Sequence, residues 1–351
     1  MTQASIRNFC VIAHIDHGKT TLTDRLLELT HTIDQRTSSD RLLDSHPIEK
    51  KRGITIKLAP VRMLYHLGSK IYILNLIDTP GHVDFTYEVS RSLNACEGAL
   101  LLVDATQGIQ AQTIATAYQA IDHNLTIIPV INKIDLPTAA VDQTRQDLVD
   151  TFGFKANEIL SISAKTGQGV EQLLQSIIDR IPPPQGVPTG TLRALVFTSY
   201  FDTHKGVIVA VRLVDGKLDS HQHIQFLASQ TTAPTLEIGY FAPHLLPANS
   251  LFTGEVGYIA TGLKDVSLAR VGDTITLYDP RSTINIPALP GYHEPKPVVF
   301  MEFYPVAGSD FIKLKDSIGK LKLNDAALTF EGTSSRALGH GVRVGFLGLL
   351  H

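Results

Sequence analysis

The first half of the chain alternates short apolar runs with segments of helical periodicity. The apolar runs are nearly uninterrupted and fall at residues 9–13, 71–77, 99–103, 127–131 and 159–162. Runs of this kind are typical of parallel strands that are buried on both faces. Residues 20–29, 110–124 and 169–180 carry apolar positions at helical spacing. The alternation predicts a doubly wound α/β domain with a mostly parallel sheet over residues 1–184.

Three consecutive prolines end the last of these helices, and a different pattern follows. Pro182, Pro183 and Pro184 remove backbone donors and favour extended conformations, so we expect a domain boundary there. Residues 187–280 contain short strands separated by glycines, which predicts a β-barrel domain. Within it, Asp215-Gly216 follows a long apolar strand and is interpreted as a hairpin turn.

A proline-rich segment, residues 280–297, leads to a third pattern. Apolar stretches at 298–304, 326–331 and 342–346 accompany a helical stretch at 310–321. The order strand, helix, strand, strand predicts the start of a ferredoxin-like α+β domain over residues 295–351. Such a unit needs one more helix and strand to complete its sheet, so we expect the chain to be part of a longer protein.

Composition narrows the class of protein. A length of 351 residues suits two or three domains. Cys10 and Cys96 are too few for a disulfide framework or a four-ligand zinc site, and we expect both to be buried in apolar surroundings. The net charge of −3 does not indicate a basic nucleic-acid-binding domain. Because the sequence has no signal-like segment and no apolar run of membrane-spanning length, we expect a soluble protein.

A phosphate-binding pattern follows the first predicted strand. Residues 13–20 are Ala-His-Ile-Asp-His-Gly-Lys-Thr and lead directly into a helix. In such a P-loop, backbone N–H groups face the phosphates, Lys19 reaches the β and γ oxygens, and the Thr20 hydroxyl binds Mg²⁺. The predicted nucleotide-binding residues here are Asp16, His17, Gly18, Lys19, Thr20 and Thr21. A Gly-Lys-Ser/Thr triplet alone is expected by chance about 0.2 times in a chain of this length.

Two further motifs stand at the ends of predicted strands. Asp78-Thr-Pro-Gly81 offers a carboxylate for the Mg²⁺ shell, through a water, and a glycine N–H for the γ-phosphate. Asn132-Lys133-Ile-Asp135 offers a carboxylate that can accept from both the ring N–H and the amino group of guanine. This tetrad is expected by chance about 0.05 times. With the P-loop before it, the tetrad predicts GTP as the ligand and opposes an ATP-driven enzyme.

Two weaker signals accompany these motifs. Ser163-Ala164-Lys165 follows another strand and can present backbone N–H groups to guanine O6, although the triplet by itself is only a turn. Thr55 lies in a long polar stretch, residues 34–57. Its hydroxyl would complete the Mg²⁺ shell only while a γ-phosphate is present, as an order-to-disorder switch requires. A solvated loop is the alternative interpretation of that stretch.

His82 is the candidate for catalysis. It directly follows Gly81, where an imidazole would lie beside the γ-phosphate. Positioning the attacking water is the main task of the protein in such a reaction. The alternative is a surface histidine, since the chain contains 14 histidines.

Taken together, the motifs resemble the translational GTPase family. The resemblance rests on residues 7–9, 13–21, 52–56, 78–85, 87–92, 132–137 and 163–167. It continues at residues 254–259, 270–274, 322–326 and 345–351, so it covers essentially the whole chain. By this resemblance His82 corresponds to the catalytic histidine of the family, between the apolar gate residues Ile15 and Ile56. Thr20 and Thr55 correspond to its Mg²⁺-binding pair.

The resemblance also implies a function. It implies hydrolysis of GTP to GDP and phosphate, with Mg²⁺, on translating or stalled ribosomes that carry tRNA, through contacts with ribosomal RNA and proteins. We expect a cytoplasmic monomer, with peripheral contact at the cytoplasmic face of the plasma membrane as a further expectation. The alternative is a GTP-dependent binding module, such as a membrane-peripheral regulator, in which hydrolysis is incidental. The sequence shows no basic amphipathic helix to support that alternative.

Overall fold

The apolar runs of the first half assemble into one six-stranded sheet. The computed structural model describes residues 2–33, 59–79, 86–281, 285–290, 296–322, 325 and 327–349. The strands are β1 (Ile6–Ala13), β2 (Ala59–Leu67), β3 (Lys70–Asp78), β4 (Gly98–Asp104), β5 (Thr126–Asn132) and β6 (Leu160–Ser161). Their order is β2-β3-β1-β4-β5-β6.

Parallel pairing holds most of this sheet together. β1 pairs with β3 and β4, β4 pairs with β5, and β5 pairs with β6, all in parallel. Every residue of β1 and β4 is buried, as expected for strands covered on both faces. The mostly parallel sheet predicted from the apolar runs is therefore confirmed. The antiparallel edge strand β2, which joins β3 through a tight turn, was not predicted.

Helices cover both faces of the sheet. They are α1 (Lys19–Leu29), α2 (Thr86–Asn94), α3 (Ala111–Asp122), α4 (Val141–Phe152) and α5 (Val170–Arg180). The apolar sides of α1 and α5 pack on one face, and those of α2, α3 and α4 pack on the other. This is the doubly wound arrangement predicted. α4 was not predicted because its buried residues are only Thr144 and Leu148, which leaves little apolar periodicity to detect.

The two cysteines are free thiols inside this core. Cys10 and Cys96 are both buried, as predicted. Burial, together with a hydrogen bond to Cys10, raises the pKa of the Cys96 thiol. A thiol whose pKa is raised in this way is poorly nucleophilic at neutral pH, so Cys96 serves packing.

The second part of the chain forms two antiparallel sheets around one apolar core. Its strands are β7 (Arg193–Asp202), β8 (Gly206–Asp215), β9 (Lys217–Asp219), β10 (His223–Phe226), β11 (Thr232–Pro234), β12 (Glu237–Ala242), β13 (His244–Ala248), β14 (Ser250–Phe252), β15 (Val256–Ala260) and β16 (Thr274–Leu277). The orders are β11-β10-β16-β7-β8-β15-β12-β13 and β14-β9. Apolar residues from both sheets share one core, which gives the barrel-like domain predicted.

The hairpin predicted at Asp215-Gly216 is wrong. β8 pairs with β7 and β15, while β9, which follows the dipeptide, pairs with β14 of the second sheet. The Asp215 carboxylate accepts from the backbone N–H of Val187 and from Arg193, and so it anchors a corner. Gly216 has a φ of +74° and passes close to the backbone near Gly190. The dipeptide therefore turns the chain between two sheets.

A small α+β unit completes the described chain. It consists of β17 (Val299–Phe303), α6 (Phe311–Lys322), β18 (Thr329–Ser335) and β19 (Gly339–Phe346). The strands form an antiparallel sheet in the order β17-β19-β18, and α6 packs Ile318 against its apolar residues. The predicted succession of strand, helix, strand, strand is confirmed. Short 3₁₀ turns occur at Gln3–Ser5, Ala156–Glu158, Val266–Leu268 and Gly308–Asp310. Among the described helices, none combines the length and the apolarity needed to cross a membrane.

A row of polar side chains borders the contact between the first sheet and the barrel-like domain. The strand register places Arg62 beside Asn75, and Asn75 beside Asn8. The amide of Asn75 donates to Oδ1 of Asn8 at 2.7 Å. Asn8 in turn donates to Glu97 at 2.9 Å and to the carbonyl of Gly254, in the barrel, at 3.0 Å. We call Arg62, Asn75, Asn8 and Glu97 the interface row.

Both ends of the interface row carry a charge that meets an opposite charge on the barrel. Nη1 of Arg62 lies 3.1 Å from Oε1 of Glu255, and the guanidinium lies over the ring of Tyr240 at 3.7 Å from the ring centroid. Glu97 forms an ion pair with Arg212. The four charged side chains are largely buried, so each pair depends on its partner for compensation.

Candidate functional site

The loop between β1 and α1 has a backbone shape that requires glycine at one position. Gly18 caps the start of α1 with a φ of +91°. A Cβ atom there would lie 2.4 Å from Nδ2 of Asn132, so a larger residue would displace that side chain. Asp16 also has a positive φ, of 61°. Because the first N–H groups of a helix have no partner within it, the loop and the start of α1 form a natural anion-binding site.

Lys19 and Asp78 come together at the carboxyl end of the sheet. Nζ of Lys19 lies 3.1 Å from Oδ1 of Asp78, and it also donates to the carbonyl of Thr79. Both side chains are nearly fully buried. Thr20 is half-buried and Thr21 exposed in the first turn of α1. The structure thus gathers an ammonium group, a carboxylate and a hydroxyl-bearing helix start at the end of the P-loop.

Asn132 links the P-loop to the loop at residues 163–165. It is the last residue of β5, and its Nδ2 donates to the carbonyl of His17 at 2.9 Å. Its Oδ1 accepts from the backbone N–H of Ala164 at 3.0 Å. The buried Asn132 amide therefore bonds to both loops, and these two bonds fix the distance between the P-loop and the loop at 163–165.

The expectation that the triplet at 163–165 offers its N–H groups to guanine stays a prediction, and in the described structure two of these three groups have protein acceptors. The N–H of Ser163 donates to the carbonyl of Gln168, and that of Ala164 donates to Asn132. These bonds close the loop on itself and on β5. The triplet therefore shapes the loop through two of its three N–H groups, and the exposed Lys165 is the member with no such bond in the described part of the chain.

Lys133 joins the same loop from a second direction. It has a positive φ of 64°, and its Nζ donates to the carbonyl of Asp16 at 2.6 Å. The same ammonium group lies 2.7 Å from the carboxylate of Asp104, at the end of β4. Asp104 belongs to none of the motifs predicted from the sequence. It directly follows the predicted strand at 99–103, and the fold places it beside Asn132 in the sheet.

Asp135 lies at the exposed end of the tetrad. Its Oδ1 accepts from the hydroxyl of Ser163 at 2.7 Å, while the residue itself is open to solvent. Arg25 of α1, also not identified from sequence, braces the adjacent loop. It donates to the carbonyl of Ala164 at 3.1 Å and to that of Lys165 at 2.7 Å. The carboxylate is thus accessible to a ligand at the edge of a braced loop.

The imidazole of His17 is held in its neutral form. Burial lowers its pKa, and this effect exceeds the opposing one of the carbonyl of Leu102. Its Nδ1 lies within hydrogen-bond distance of that carbonyl and of the backbone N–H of Asp104. The ring of His14 packs against it edge-on at 5.2 Å between centroids. The His17 ring therefore packs between the P-loop and the end of β4.

Four predicted residues lie outside the described residues: Thr55, Ile56, Gly81 and His82. Ile15, the other proposed gate residue, is half-buried in the P-loop. The described residues contain no group of three or more His, Cys, Asp or Glu side chains placed to hold a metal ion. Mg²⁺ usually binds one or two protein oxygens and completes its shell with substrate phosphates and waters. The hydroxyl of Thr20 and the carboxylate of Asp78 fit that kind of site.

Comparison with known proteins decides the family. Residues 4–183 match the family described as the elongation factor Tu GTP binding domain, which is just over half of the chain. The chain belongs to this family. The match covers the six-stranded sheet, α1 to α5 and all described residues of the site. The resemblance inferred from the motifs is therefore confirmed, and with it the predicted GTP-binding fold.

Relatives of known name extend the similarity to the remaining residues. The chain is 54% identical over 350 residues to elongation factor 4 of Thermobifida fusca (strain YX), covering 99% of this chain and 56% of the relative. It is 51% identical over 348 residues to elongation factor 4 of Mycobacterium tuberculosis (strain H37Rv), and this match covers 99% of this chain and 53% of the relative. The chain thus spans about half the length of the curated relatives it matches.

A solved structure has the same fold across all three parts of the chain. It is a crystal structure of a protein from Thermus thermophilus, with a TM-score of 0.75 and 20% sequence identity. The match covers 99% of this chain and 64% of that one. The predicted order of an α/β domain, a barrel-like domain and an α+β unit is consistent with this likeness.

Proposed function

We propose that this chain binds GTP and hydrolyses it to GDP and phosphate. The observation that carries the proposal is the joint placement of Asn132 and Lys133. Both side chains of the predicted guanine-recognition tetrad bond to carbonyls of the P-loop, at 2.9 and 2.6 Å. A ligand that engages both motifs carries phosphates at one end and a guanine base at the other. Family membership and the elongation factor 4 relatives support the same ligand.

The described side chains divide the binding task. The N–H groups of Asp16 to Thr21 and the ammonium group of Lys19 bind the phosphate charge, because a helix start and a buried cation both favour anions. The Asp135 carboxylate accepts from the two guanine donors. The hydroxyl of Ser163, which donates to the same carboxylate at 2.7 Å, orients it. Adenine lacks the matching donors. ATP would therefore bind more weakly, because it would leave the Asp135 carboxylate without those hydrogen bonds.

Mg²⁺ supplies charge neutralisation on the phosphate oxygens when it is bound. Thr20, Asp78 through a water, and Thr55 are the residues we propose to hold it. Lys19 and Asp78 lie 3.1 Å apart, so phosphate and metal would each take one partner of that ion pair. His82, next to Gly81, is the proposed positioning group for the attacking water.

We further propose that hydrolysis serves the ribosome. The elongation factor 4 relatives support this role. We propose that the protein acts as a monomer, in the cytoplasm, on ribosomes that carry tRNA. The proposed domains are residues 1–184 for GTP, 187–280 for the barrel and 295–351 for the α+β unit. Peripheral membrane contact stays a prediction from the resemblance.

The proposal is tested by GTP hydrolysis with and without ribosomes, for this chain and for a version extended through the rest of the relatives' length. We expect ribosomes to stimulate the extended form, and His82→Ala to retain GTP binding while stimulated turnover falls about 100-fold or more. Equal affinity for ATP and GTP would refute the proposal that the site is specific for guanine nucleotides. Stimulation absent in both forms would refute the ribosomal role, and full turnover by His82→Ala would remove His82 from the mechanism.

A further inference from the structure

The carboxylate of Asp104 has several donors around it in the described site, although no predicted motif includes this residue. It is fully buried at the end of β4. Its Oδ1 accepts from the backbone N–H and the hydroxyl of Thr106, each at 2.8 Å, and its Oδ2 accepts from Gln107 at 3.2 Å. Nζ of Lys133 lies 2.7 Å from Oδ2. A carboxylate with this many donors has one fixed orientation.

That orientation determines where Lys133 can lie. A lysine side chain has four rotatable bonds and loses conformational entropy when it is held in one place. The Asp104 carboxylate takes one side of the ammonium group, and the carbonyl of Asp16 takes another at 2.6 Å. Among the described residues, the Asp104 carboxylate is the buried counter-charge that keeps this ammonium group against the P-loop.

The backbone of Asp104 provides a second link between β4 and the P-loop. Its N–H donates to Nδ1 of His17 at 3.3 Å. His17 and Asp16 are neighbours in the P-loop, so β4 reaches this loop twice, once through its backbone and once through Lys133. Burial favours protonation of the Asp104 carboxyl, but the bonds from Lys133 and Thr106 outweigh it and hold its pKa below the usual range. The group is therefore charged at neutral pH.

We propose that Asp104 is a positioning residue for guanine nucleotides: by holding Lys133 against the carbonyl of Asp16, it keeps the P-loop at the distance from β5 that lets base and phosphates bind together. The proposal rests on the proposed function. Because Asp104 acts on the loop and not on the γ-phosphate, it supports GDP and GTP equally. It also acts through Lys133, so its contribution disappears when Lys133 is removed.

The test is equilibrium binding of fluorescent GDP and GTP analogues to the chain with Asp104→Asn, which keeps the shape of the side chain and removes its charge. We expect both dissociation constants to rise by about 10- to 100-fold, as loss of a charged hydrogen bond usually causes. The ratio of the two constants should stay as in wild type, and KM for GTP should rise by more than kcat falls. Asp122→Asn, an exposed position on α3, is the matched control and should bind as wild type does.

A double-mutant cycle separates positioning from general damage. In a Lys133→Met background, Asp104→Asn should change the dissociation constants by less than about twofold, because the partner is already absent. If Asp104→Asn does not fold, Thr106→Ala removes one donor from the same carboxylate and should weaken binding severalfold in the same direction.

Three results would overturn the inference: affinity of Asp104→Asn within twofold of wild type, additive effects in the Lys133→Met background, or a change in the ratio of GDP to GTP affinity. If the wild-type chain bound no guanine nucleotide, the proposed function would fail first. That failure is recognisable because it appears in the wild type and not only in the variants.

Discussion

Arg62 should stabilise the contact between the first sheet and the barrel mainly by compensating Glu255. Arg62→Leu would leave the Glu255 carboxylate, whose side chain is only 6% exposed, without its counter-charge. Removing one partner of a buried ion pair typically costs about 3–5 kcal/mol. Glu255 would keep two donors, the hydroxyl of Tyr240 at 3.0 Å and the N–H of Phe252 at 2.9 Å. We therefore expect a loss near the lower end of that range, about 3 kcal/mol.

A second substitution should relieve most of that loss. Arg62→Leu with Glu255→Gln removes both charges but leaves an amide oxygen that can still accept from Tyr240 or Phe252. Because the stranded charge is the main cost, we expect the double variant to be more stable than Arg62→Leu alone by about 1–2 kcal/mol. Part of the remaining deficit would come from the lost contact of the guanidinium with the Tyr240 ring, which is about 0.5–2 kcal/mol for such pairs.

The measurement is the free energy of unfolding from urea titrations, followed by far-UV circular dichroism and tyrosine fluorescence, since the chain contains no tryptophan. Agreement of the two signals is needed because a chain of several domains can unfold in steps. Lys155→Leu is the control: its pair with Glu158 is 78% and 40% exposed, so its loss should cost less than about 1 kcal/mol. The reasoning is refuted if Arg62→Leu costs no more than this control, or if Glu255→Gln adds to its effect.

Two further predictions concern single carboxylates. Asp135→Asn should weaken GTP binding by about 1.5–3 kcal/mol and shift preference towards xanthosine triphosphate, measured by competition binding; retained guanine selectivity would contradict the base-reading role. Burial raises the pKa of Glu97, against the opposing effects of Arg212 and Asn8. Since the folded pKa is above the unfolded value of about 4.3, the contribution of Glu97 to stability is complete below that value and is lost as pH rises through the folded pKa. The stability of wild type relative to Glu97→Gln should therefore fall across that window in urea titrations, and a rise would show that pairing outweighs burial.

Much of the site could be predicted from the sequence because its chemistry is local. The P-loop needs only a strand, a glycine at the helix start and a lysine, and these are consecutive residues. The tetrad at Asn132 likewise places its side chains at the end of one strand. The apolar runs predicted β1, β3, β4 and β5 because strands buried on both faces have little polar sequence to obscure them.

The tertiary structure decided which distant residues serve those motifs. Asp104 and Arg25 could not be assigned from sequence, because a buried aspartate and a helical arginine have many ordinary roles and only folding brings them to Lys133 and to the loop of Ala164. Asp215-Gly216 has the composition of a hairpin turn, yet its partners at Val187 and Arg193 make it a corner. Local sequence determines which conformations a segment prefers, whereas pairing partners depend on which surfaces meet. Contacts between distant segments therefore decided the supporting residues, while the sequence alone determined the binding motifs.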